Sequence, residues 1–315
     1  YIKLFEDTSA RAGQLELSFP KDSDNRETLN RLGALGYKKP LEVSATVRHW
    51  LTGAYPSLRG EFARSQFAEL VPVLLDRLGR AENPDAALNA FDVFIGGLQR
   101  GARLFSLLKQ NPDLVTLVAL TLGTAPRLAA ILARYPEAMD ALLEPTFFGA
   151  LPDEAKIEAE LQRTIKESRS YEDFLDRLRM FSQEQMFLIG ARILSGTVSA
   201  EQAGGAFARL ADVAIRALHR RVEDTVAENH GRIRRQQTAL LALGKLGGRE
   251  MTATSDLDLI IVYDFDPNHP QSDGARPLYG AQYFARLTQR LISALSSQTN
   301  YGALYQVDMR LRPSG

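Results

Sequence analysis

The stretch GKLGGREMTATSDLDLIIVYDFD, residues 244–266, decides the fold class. A glycine pair is followed by Asp256 and Asp258, and these acids lead directly into the apolar run 259–263. Glycine accepts the backbone angles of tight turns, and runs rich in Ile and Val are typical of strands. The pattern therefore predicts a turn and then a strand that has two carboxylates at its start. Because close carboxylates repel each other, the pair has to be explained by a metal ion, by hydrogen bonds or by chance.

The composition limits the class of protein. A length of 315 residues suggests two domains, and 38 Lys and Arg residues balance 38 Asp and Glu residues, so no net field favours nucleic acid. The absence of Cys excludes disulfides, thiolate catalysis and Cys-ligated zinc, and the four His residues match no metal-binding spacing. No run of eighteen apolar residues and no secretion leader is present. We therefore expect a cytoplasmic protein that binds neither nucleic acid nor a membrane.

The chain up to residue 230 has mostly helical patterning. Residues 1–40 are polar and mixed and are predicted to be an arm or tail, whereas 41–230 is predicted to be a helical domain. Six apolar residues recur on one face at helical spacing: Phe67, Leu70, Val71, Leu74, Leu75 and Leu78. By itself this helical bundle or array is a scaffold, and it names no chemistry.

Capping residues divide this region into short helices. The pairs Asn83-Pro84 and Asn111-Pro112 each place an N-cap residue before a proline at the first helical position. Ser199 and Gln202 have the spacing of a capping box, and Gly196 is predicted to end the preceding helix.

The pattern changes near residue 235. Residues 238–243 and 258–263 read as strands, 279–295 has helical spacing, and 303–311 alternates as a strand. Strand, turn, strand, helix and strand within about eighty residues indicate a small sheet with helices. We therefore predict an α+β fold, with a helical domain followed by a mixed-sheet core over residues 231–315.

Three carboxylates are candidates for a metal site. Side chains alternate along a strand, so Asp256 and Asp258 are predicted to share one face. If the strand that contains Asp308 pairs beside them, about 4.8 Å away, all three acids could meet in one coordination shell. Oxygen ligands suit Mg²⁺ or Mn²⁺, and two such ions about 3.5–4 Å apart are usual in phosphoryl chemistry.

The glycine turn is predicted to supply phosphate contacts. Gly247 and Gly248 lack side chains, so their N–H groups could approach a phosphate closely. Further donors for a triphosphate are expected from Lys245, Ser255, Arg310 and Arg312. An Asp-x-Asp pair or a glycine pair alone is common, and Arg310 and Arg312 could be ordinary surface residues. The conjunction of the turn, the pair and a later Asp is more specific.

These residues resemble a known superfamily. The order Leu246-Gly247-Gly248, Asp256-Leu257-Asp258 and a later Asp is similar to that of polymerase-β-like nucleotidyltransferases. More narrowly, the stretch 244–266 and YQVDMRLRPSG resemble the glutamine synthetase adenylyltransferase family, as does the helical stretch 91–132. The resemblance covers most of the chain and is weakest before residue 40.

The resemblance implies a function and a set of roles. By position, Asp256 and Asp258 match the family's metal-binding pair, and Asp308 matches a third carboxylate that joins the metal site and helps to deprotonate the attacking hydroxyl. Gly247, Gly248 and Ser255 match the phosphate-binding turn. The implied reaction transfers AMP from MgATP to a tyrosine of glutamine synthetase and releases pyrophosphate. The implied regulators are glutamine and a PII-type signalling protein.

Alternative functions remain open. The same family contains a deadenylylating half that works by phosphorolysis, although the ending RLRPSG and the helical lead-in resemble the attaching half. A uridylyltransferase or a polymerase would keep the superfamily but change the acceptor, and a non-catalytic regulatory binding module would lose the chemistry. The family's catalytic domain continues beyond RLRPSG, so the sheet of this chain is expected to be incomplete at its carboxyl end.

Overall fold

The computed structural model describes residues 17–21, 23–135, 138–142, 147, 149–299 and 301–308. The described residues fall into two compact units. The first lies within Tyr1–Glu144 and includes Leu194–Thr197, and the second lies within Pro145–Ile193 and Val198–Gly315. This division falls inside the region that was expected to be one helical domain, because residues 145–193 and 198–230 group with the sheet part of the chain.

Most helices precede the strands along the chain. In the first unit the described α-helices are α1 (Arg26–Ala34), α2 (Pro40–Leu51), α3 (Glu61–Gly79), α4 (Pro84–Gly97), α5 (Ala102–Gln110), α6 (Pro112–Thr124), α7 (Pro126–Arg134) and α8 (Ala138–Ala141). The second contains α9 (Glu154–Lys166), α10 (Tyr171–Leu194), α11 (Ala200–His230), β1 (Gln237–Ala242), the single turn α12 (Gly244–Gly247), β2 (Leu257–Asp264), α13 (Gly280–Ser296) and β3 (Val307–Asp308). The predicted α+β class is confirmed.

The core of the first unit is an aromatic cluster. The six-residue apolar face predicted on α3 is buried, with Phe67, Leu74, Leu75 and Leu78 fully enclosed. Around Phe67 pack the rings of Trp50, Phe91 and Phe105, at centroid distances of 5.6, 6.2 and 4.8 Å. Helical spacing in the sequence therefore identified the inward face correctly.

The structure differs from the expected arm over residues 1–40. Residues 26–34 form α1, which packs against α2 and buries Leu32. The Asn25 side chain accepts a hydrogen bond from the Thr28 N–H at 3.0 Å and so caps the helix. The polar composition of the segment hid this local capping signal and the single buried leucine.

The two Asn-Pro pairs behave differently. Asn83 caps α4 as predicted, because its side chain accepts from the Ala86 N–H at 3.2 Å. Asn111 precedes α6, but its side-chain amide donates to the Leu107 carbonyl at 2.8 Å, and no side-chain cap is formed. The start of α6 was therefore predicted correctly and its capping bond was not.

The boundary between α10 and α11 follows the sequence signals. Helix α10 ends at Leu194, and Gly196 has the positive φ of 72° that favours glycine. Ser199 and Gln202 form the complete capping box, each side chain bonding the other residue's N–H. Both predictions are confirmed.

The sheet has three described strands in the order β1-β2-β3. β1 pairs antiparallel with β2, and β2 pairs parallel with β3. Of the strand predicted over 303–311, the described residues place only Val307–Asp308 in the sheet, and 309–311 lie outside the described residues. Residues 303–306 do not join the predicted strand, because the N–H groups of Leu304 and Tyr305 both donate to the Leu295 carbonyl at the end of α13.

Helix α13 covers one face of the sheet. Phe284, Leu287 and Leu291 are buried, and the Phe284 ring stacks on Tyr263 of β2 at a centroid distance of 4.2 Å. This layer leaves the opposite face of β2 open, and Asp258 and Val262 lie toward it. The fold thus sets the acidic start of β2 beside an accessible surface.

None of the described helices, taken singly, combines the length and hydropathy of a transmembrane segment. Only α6 and α7 joined together reach that composition, and they are bent by 117° relative to each other.

Candidate functional site

The carboxylates of β2 and β3 are brought together by strand pairing. Asp258 and Asp308 are direct partners in the parallel register, and Leu257 is paired with Val307. Adjacent strands lie about 4.8 Å apart. Leu257 and Leu259 are buried on one face, whereas Asp258 is half-buried on the other. The sheet therefore places Asp308 next to Asp258, as the three-carboxylate hypothesis required.

Asp256 lies just before this pair. It is exposed and precedes β2, whose first N–H, on Leu257, donates to the Gln306 carbonyl at 2.9 Å. Within the described ranges no group of three or more His, Asp or Glu side chains is spaced to hold a metal ion. The structure thus pairs Asp258 with Asp308 and places Asp256 just before the first residue of β2. The three carboxylates do not form a cluster in the described part of the chain.

Gly244 is the glycine that contacts the acidic site. Its φ is +52°, and a Cβ atom built on it would lie 2.1 Å from Oδ2 of Asp258. The adjoining Leu243 N–H donates to the Asp258 carbonyl at 2.9 Å. Only glycine leaves room for the Asp258 carboxylate in this conformation. Gly244 was not predicted from the sequence, although its place at the end of an apolar run was a usable signal.

The two glycines chosen from the sequence have other roles. The N–H groups of Gly247 and Gly248 donate to the carbonyls of Leu243 and Gly244, both at 3.0 Å, and so close the turn α12. Gly247 also packs against β1, because a Cβ atom there would lie 2.6 Å from the Ala242 carbonyl oxygen. Their N–H groups are therefore engaged in the turn, contrary to the expectation that they face a phosphate.

Of the other residues predicted to contact phosphate, Lys245 lies in the turn α12 and Ser255 lies in the loop that follows it. Lys245 is exposed, and its carbonyl accepts the Glu250 N–H at 2.9 Å. The Ser255 hydroxyl accepts from the Thr252 N–H at 2.9 Å and lies 3.0 Å from the Thr252 hydroxyl. Ser255 thus shapes the loop that leads into Asp256. Arg310 and Arg312 lie outside the described residues.

Two residues hold the loop after the turn against α11. Arg249 has a positive φ of 56°, and its guanidinium donates to the Asp212 carboxylate at 3.1 Å. Burial raises the pKa of Asp212, and the charge of Arg249 opposes that shift. Nearby, a Cβ atom on Gly204 would lie 3.2 Å from the Glu250 backbone. These contacts fix the turn, and no short sequence motif marked them.

Two of the four histidines have packing roles. His219 Nε2 lies 3.2 Å from the Thr238 hydroxyl, and that hydroxyl donates to Glu223 at 2.9 Å. Burial lowers the pKa of His219, and Glu223 opposes this effect. Nδ1 of His230 lies 2.5 Å from the Arg276 carbonyl oxygen. These contacts join α11 to β1 and to the loop before α13.

The donor set of the site suits a hard cation. Two neighbouring carboxylates are unfavourable together unless positive charge offsets them, and carboxylate oxygens are preferred ligands of Mg²⁺ and Mn²⁺. Asp256, Asp258 and Asp308 are therefore the residues that could hold a divalent metal ion.

Comparison with known proteins identifies the family. The family model described as glutamate-ammonia ligase adenylyltransferase matches residues 115–315. Relatives named bifunctional glutamine synthetase adenylyltransferase/adenylyl-removing enzyme include those of Bradyrhizobium diazoefficiens (56% identity over 317 residues), Rhodopseudomonas palustris strain BisB5 (55% over 315) and Xanthobacter autotrophicus (54% over 317). Each comparison covers 100% of this chain and 32% of the relative, so the chain spans about a third of their length. The chain belongs to the glutamate-ammonia ligase adenylyltransferase family.

Proposed function

We propose that the chain carries the adenylylating centre of a glutamine synthetase adenylyltransferase. In this reaction AMP passes from ATP to a tyrosine hydroxyl of glutamine synthetase, and pyrophosphate is released. The observation that carries the proposal is the pairing of Asp258 with Asp308, with Gly244 against the Asp258 carboxylate. Family membership and the names of the relatives support the reaction class.

Asp256, Asp258 and Asp308 are proposed to hold Mg²⁺, with Mn²⁺ as the alternative. The family resemblance implies two ions. Asp258 and Asp308 supply adjacent oxygen donors from paired strands, and Asp256 supplies a third from the exposed start of β2. When bound, the metal offsets negative charge that develops on the α-phosphate and on departing pyrophosphate.

Asp308 is proposed to take the proton of the acceptor tyrosine. A tyrosine hydroxyl has a pKa of about 10, so at neutral pH the proton has to leave as the oxygen attacks. Asp308 is half-buried beside Asp258, within one strand spacing of it. The new bond joins the tyrosine oxygen to the α-phosphorus, and the electrons of the broken α–β phosphoanhydride bond leave with pyrophosphate.

The triphosphate is proposed to lie over the turn α12. The first N–H groups of a helical turn have no partner within it, so those of Gly244 and Lys245 are the supported backbone donors. The Lys245 ammonium is exposed at the same place. The other proposed contacts, from the family resemblance, are Ser255, Arg310 and Arg312.

The proposed partners follow from the family. Glutamine synthetase is the proposed acceptor, because the relatives' names include it. Regulation by glutamine and by a PII-type signalling protein is proposed on the resemblance alone. A reaction that consumes ATP and modifies glutamine synthetase is expected to take place in the cytoplasm.

The test is transfer of label from α-³²P-ATP to glutamine synthetase in the presence of Mg²⁺. The chain and a longer protein that contains it are assayed in parallel, because the relatives are about three times as long. We expect label on glutamine synthetase, and we expect Asp258→Asn to abolish it. Asp264→Asn is the matched control, since Asp264 is an exposed carboxylate at the other end of the same strand.

The outcomes separate the alternatives. Label that is lost with Asp258→Asn and kept with Asp264→Asn supports the proposal. Absence of label in both proteins, together with phosphate-dependent release of ADP from adenylylated glutamine synthetase, would establish the deadenylylating half instead. Absence of both activities, with glutamine synthetase still bound, would establish a binding module.

A further inference from the structure

Two adjoining cavities lie along helix α13 in the second unit. One of about 540 Å³ is bounded by α10 and α13, and the other of about 400 Å³ is bounded by α11, α13 and the loop before α13. Arg286 and Arg290 line both cavities, Arg179 lines the first, and Arg276 lines the second. We name this pair of cavities, with its four arginines, the arginine cleft.

The arginine cleft carries uncompensated positive charge. The residues that line it include no Asp or Glu. Across the described part of the chain, Arg276, Arg286 and Arg290 make no ion pair with a carboxylate, and their side chains are exposed. Arg179 is paired with Asp176 at 3.5 Å. Like charges are held together here at an electrostatic cost that an anion would relieve.

The guanidinium groups of Arg286 and Arg290 are positioned by a histidine and by a tyrosine ring. Because Nδ1 of His230 faces the Arg276 carbonyl oxygen at 2.5 Å, it is the donor there, and Nε2 can accept from Arg286 Nη1 at 3.3 Å. Arg290 lies over the ring of Tyr171 at 5.9 Å. These contacts orient both arginines and leave their charge intact.

The floor of the arginine cleft is also fixed. Arg179 is buried and donates to the Ala294 carbonyl at 3.1 Å, near the end of α13. Burial raises the pKa of Tyr171, although the neighbouring arginines oppose the shift, so its hydroxyl remains a hydrogen-bond donor at neutral pH. A fixed set of donors reduces the entropy that a ligand would lose by ordering them.

The arginine cleft lies away from the acidic site. Arg286 and Arg290 are four residues apart and share one face of α13. Phe284, Leu287 and Leu291 occupy the face that packs on the sheet. An anion in the cleft would therefore lie on a different face of α13 from the one that packs on the sheet that carries Asp258.

We propose that the arginine cleft binds a small anion with two or more phosphate groups. Each guanidinium offers five N–H donors in a planar fork that matches phosphate oxygens. Three such groups, on Arg276, Arg286 and Arg290, offer more donors than a single carboxylate can accept. The ligand is either a polyphosphate-bearing substrate or product of the proposed reaction, bound at a second place, or a separate phosphorylated effector.

The test is calorimetric titration of the chain with sodium tripolyphosphate. EDTA removes divalent cations, so that binding to the carboxylates of the acidic site is suppressed, and about 0.15 M salt screens non-specific attraction. We expect saturable binding at one site, weakened about a hundredfold or more in Arg286→Gln/Arg290→Gln, since each charge-assisted contact contributes about tenfold or more. Arg220→Gln is the matched control, because Arg220 is an exposed arginine of α11 outside the cleft.

One further variant and two further ligands complete the titration experiment. Arg276→Gln alters an exposed loop residue and is expected to weaken binding about tenfold even if the double variant is unstable. ATP and citrate are titrated into the unsubstituted protein and into Arg286→Gln/Arg290→Gln. ATP binding that the double variant weakens supports the substrate as source, because ATP held at the acidic site does not contact these two arginines, and preference for citrate would overturn the phosphate assignment. Absence of saturable binding, or equal affinity in the double variant, would also overturn the proposal. None of these measurements depends on AMP transfer, so failure of the proposed function is read separately.

Discussion

Asp258 and Asp308 are paired residue to residue across the parallel strands β2 and β3, although fifty positions separate them in the chain. The pairing sets two half-buried carboxylates on neighbouring strands, and the turn at Gly244 packs directly against one of them.

The two paired acids are expected to act as one unit. Asp258→Asn and Asp308→Asn should each lower kcat/KM for AMP transfer about 100-fold or more, and the double variant should lose little beyond either single one. The measurement is a double-mutant cycle with glutamine synthetase as acceptor. Losses that simply multiply would show that the two residues act independently and would contradict a shared site.

Mg²⁺ is expected to stabilise the folded chain through the same acids. A ligand that binds only the folded state at ten times its Kd adds about 1.4 kcal/mol to the free energy of unfolding. The increase should appear in denaturant melts of the unsubstituted chain with Mg²⁺ against EDTA. It should be absent in Asp258→Asn/Asp308→Asn and present in Asp264→Asn. An equal increase in all three proteins would place the metal elsewhere.

Gly244→Ala is expected to disturb both stability and activity. Its φ of +52° disfavours a side chain, and the added Cβ would meet Asp258 Oδ2 at 2.1 Å. We expect a loss of about 1–3 kcal/mol in the free energy of unfolding and about 100-fold in AMP transfer. Gly248→Ala is the control for stability, since Gly248 has φ −75° and its nearest neighbour is the end of the Glu250 side chain at 3.3 Å. A stability change within about 0.5 kcal/mol is expected there.

Asp212 is expected to make stability fall as pH rises. Its pKa in the folded chain is raised, chiefly by burial, so the folded state keeps the proton at pH values where the unfolded state has lost it. The free energy of unfolding should therefore decrease as pH rises from below 3.8 through the raised pKa. Asp212→Asn should remove this decrease, as measured by denaturant melts between about pH 3 and pH 7.

Asp24 supplies the opposite control. Hydrogen bonds from Arg48 and Ser44 lower the pKa of Asp24, so its stabilising contribution is present above the unfolded value of 3.8 and is lost as pH falls through the folded value. Asp24→Asn should therefore lower stability most at neutral pH. If Asp212→Asn and Asp24→Asn changed the pH dependence of the free energy of unfolding in the same direction, the assigned pKa shifts of Asp212 and Asp24 would be contradicted.

The local features of the fold could be read from the sequence. Asn83 and Ser199 cap their helices, Gly196 ends one, and the apolar face around Phe67 is buried. Each depends on residues within a few positions of one another, whose spacing matches the period of a helix. Where two local bonding partners compete, as at Asn111, the helix start was predicted and the capping bond was not.

The site required contacts that are distant along the chain. The sequence showed three acids and a glycine turn, but Gly244 rather than Gly247 contacts Asp258 because the backbone conformation of the turn is set by its packing on β1 and β2. The bond from Arg249 to Asp212 and the convergence of four arginines along α13 likewise join separate elements.

By itself, the sequence determined the α+β class, the boundaries of several helices, the acidic start of β2 and the family resemblance, because these rest on short-range spacing and on residue type. Only the tertiary structure decided which glycine lies against Asp258, that Asp308 is its strand partner, and that the arginine cleft exists. The physical reason is that strand register and side-chain convergence depend on how whole elements pack, which no local pattern specifies.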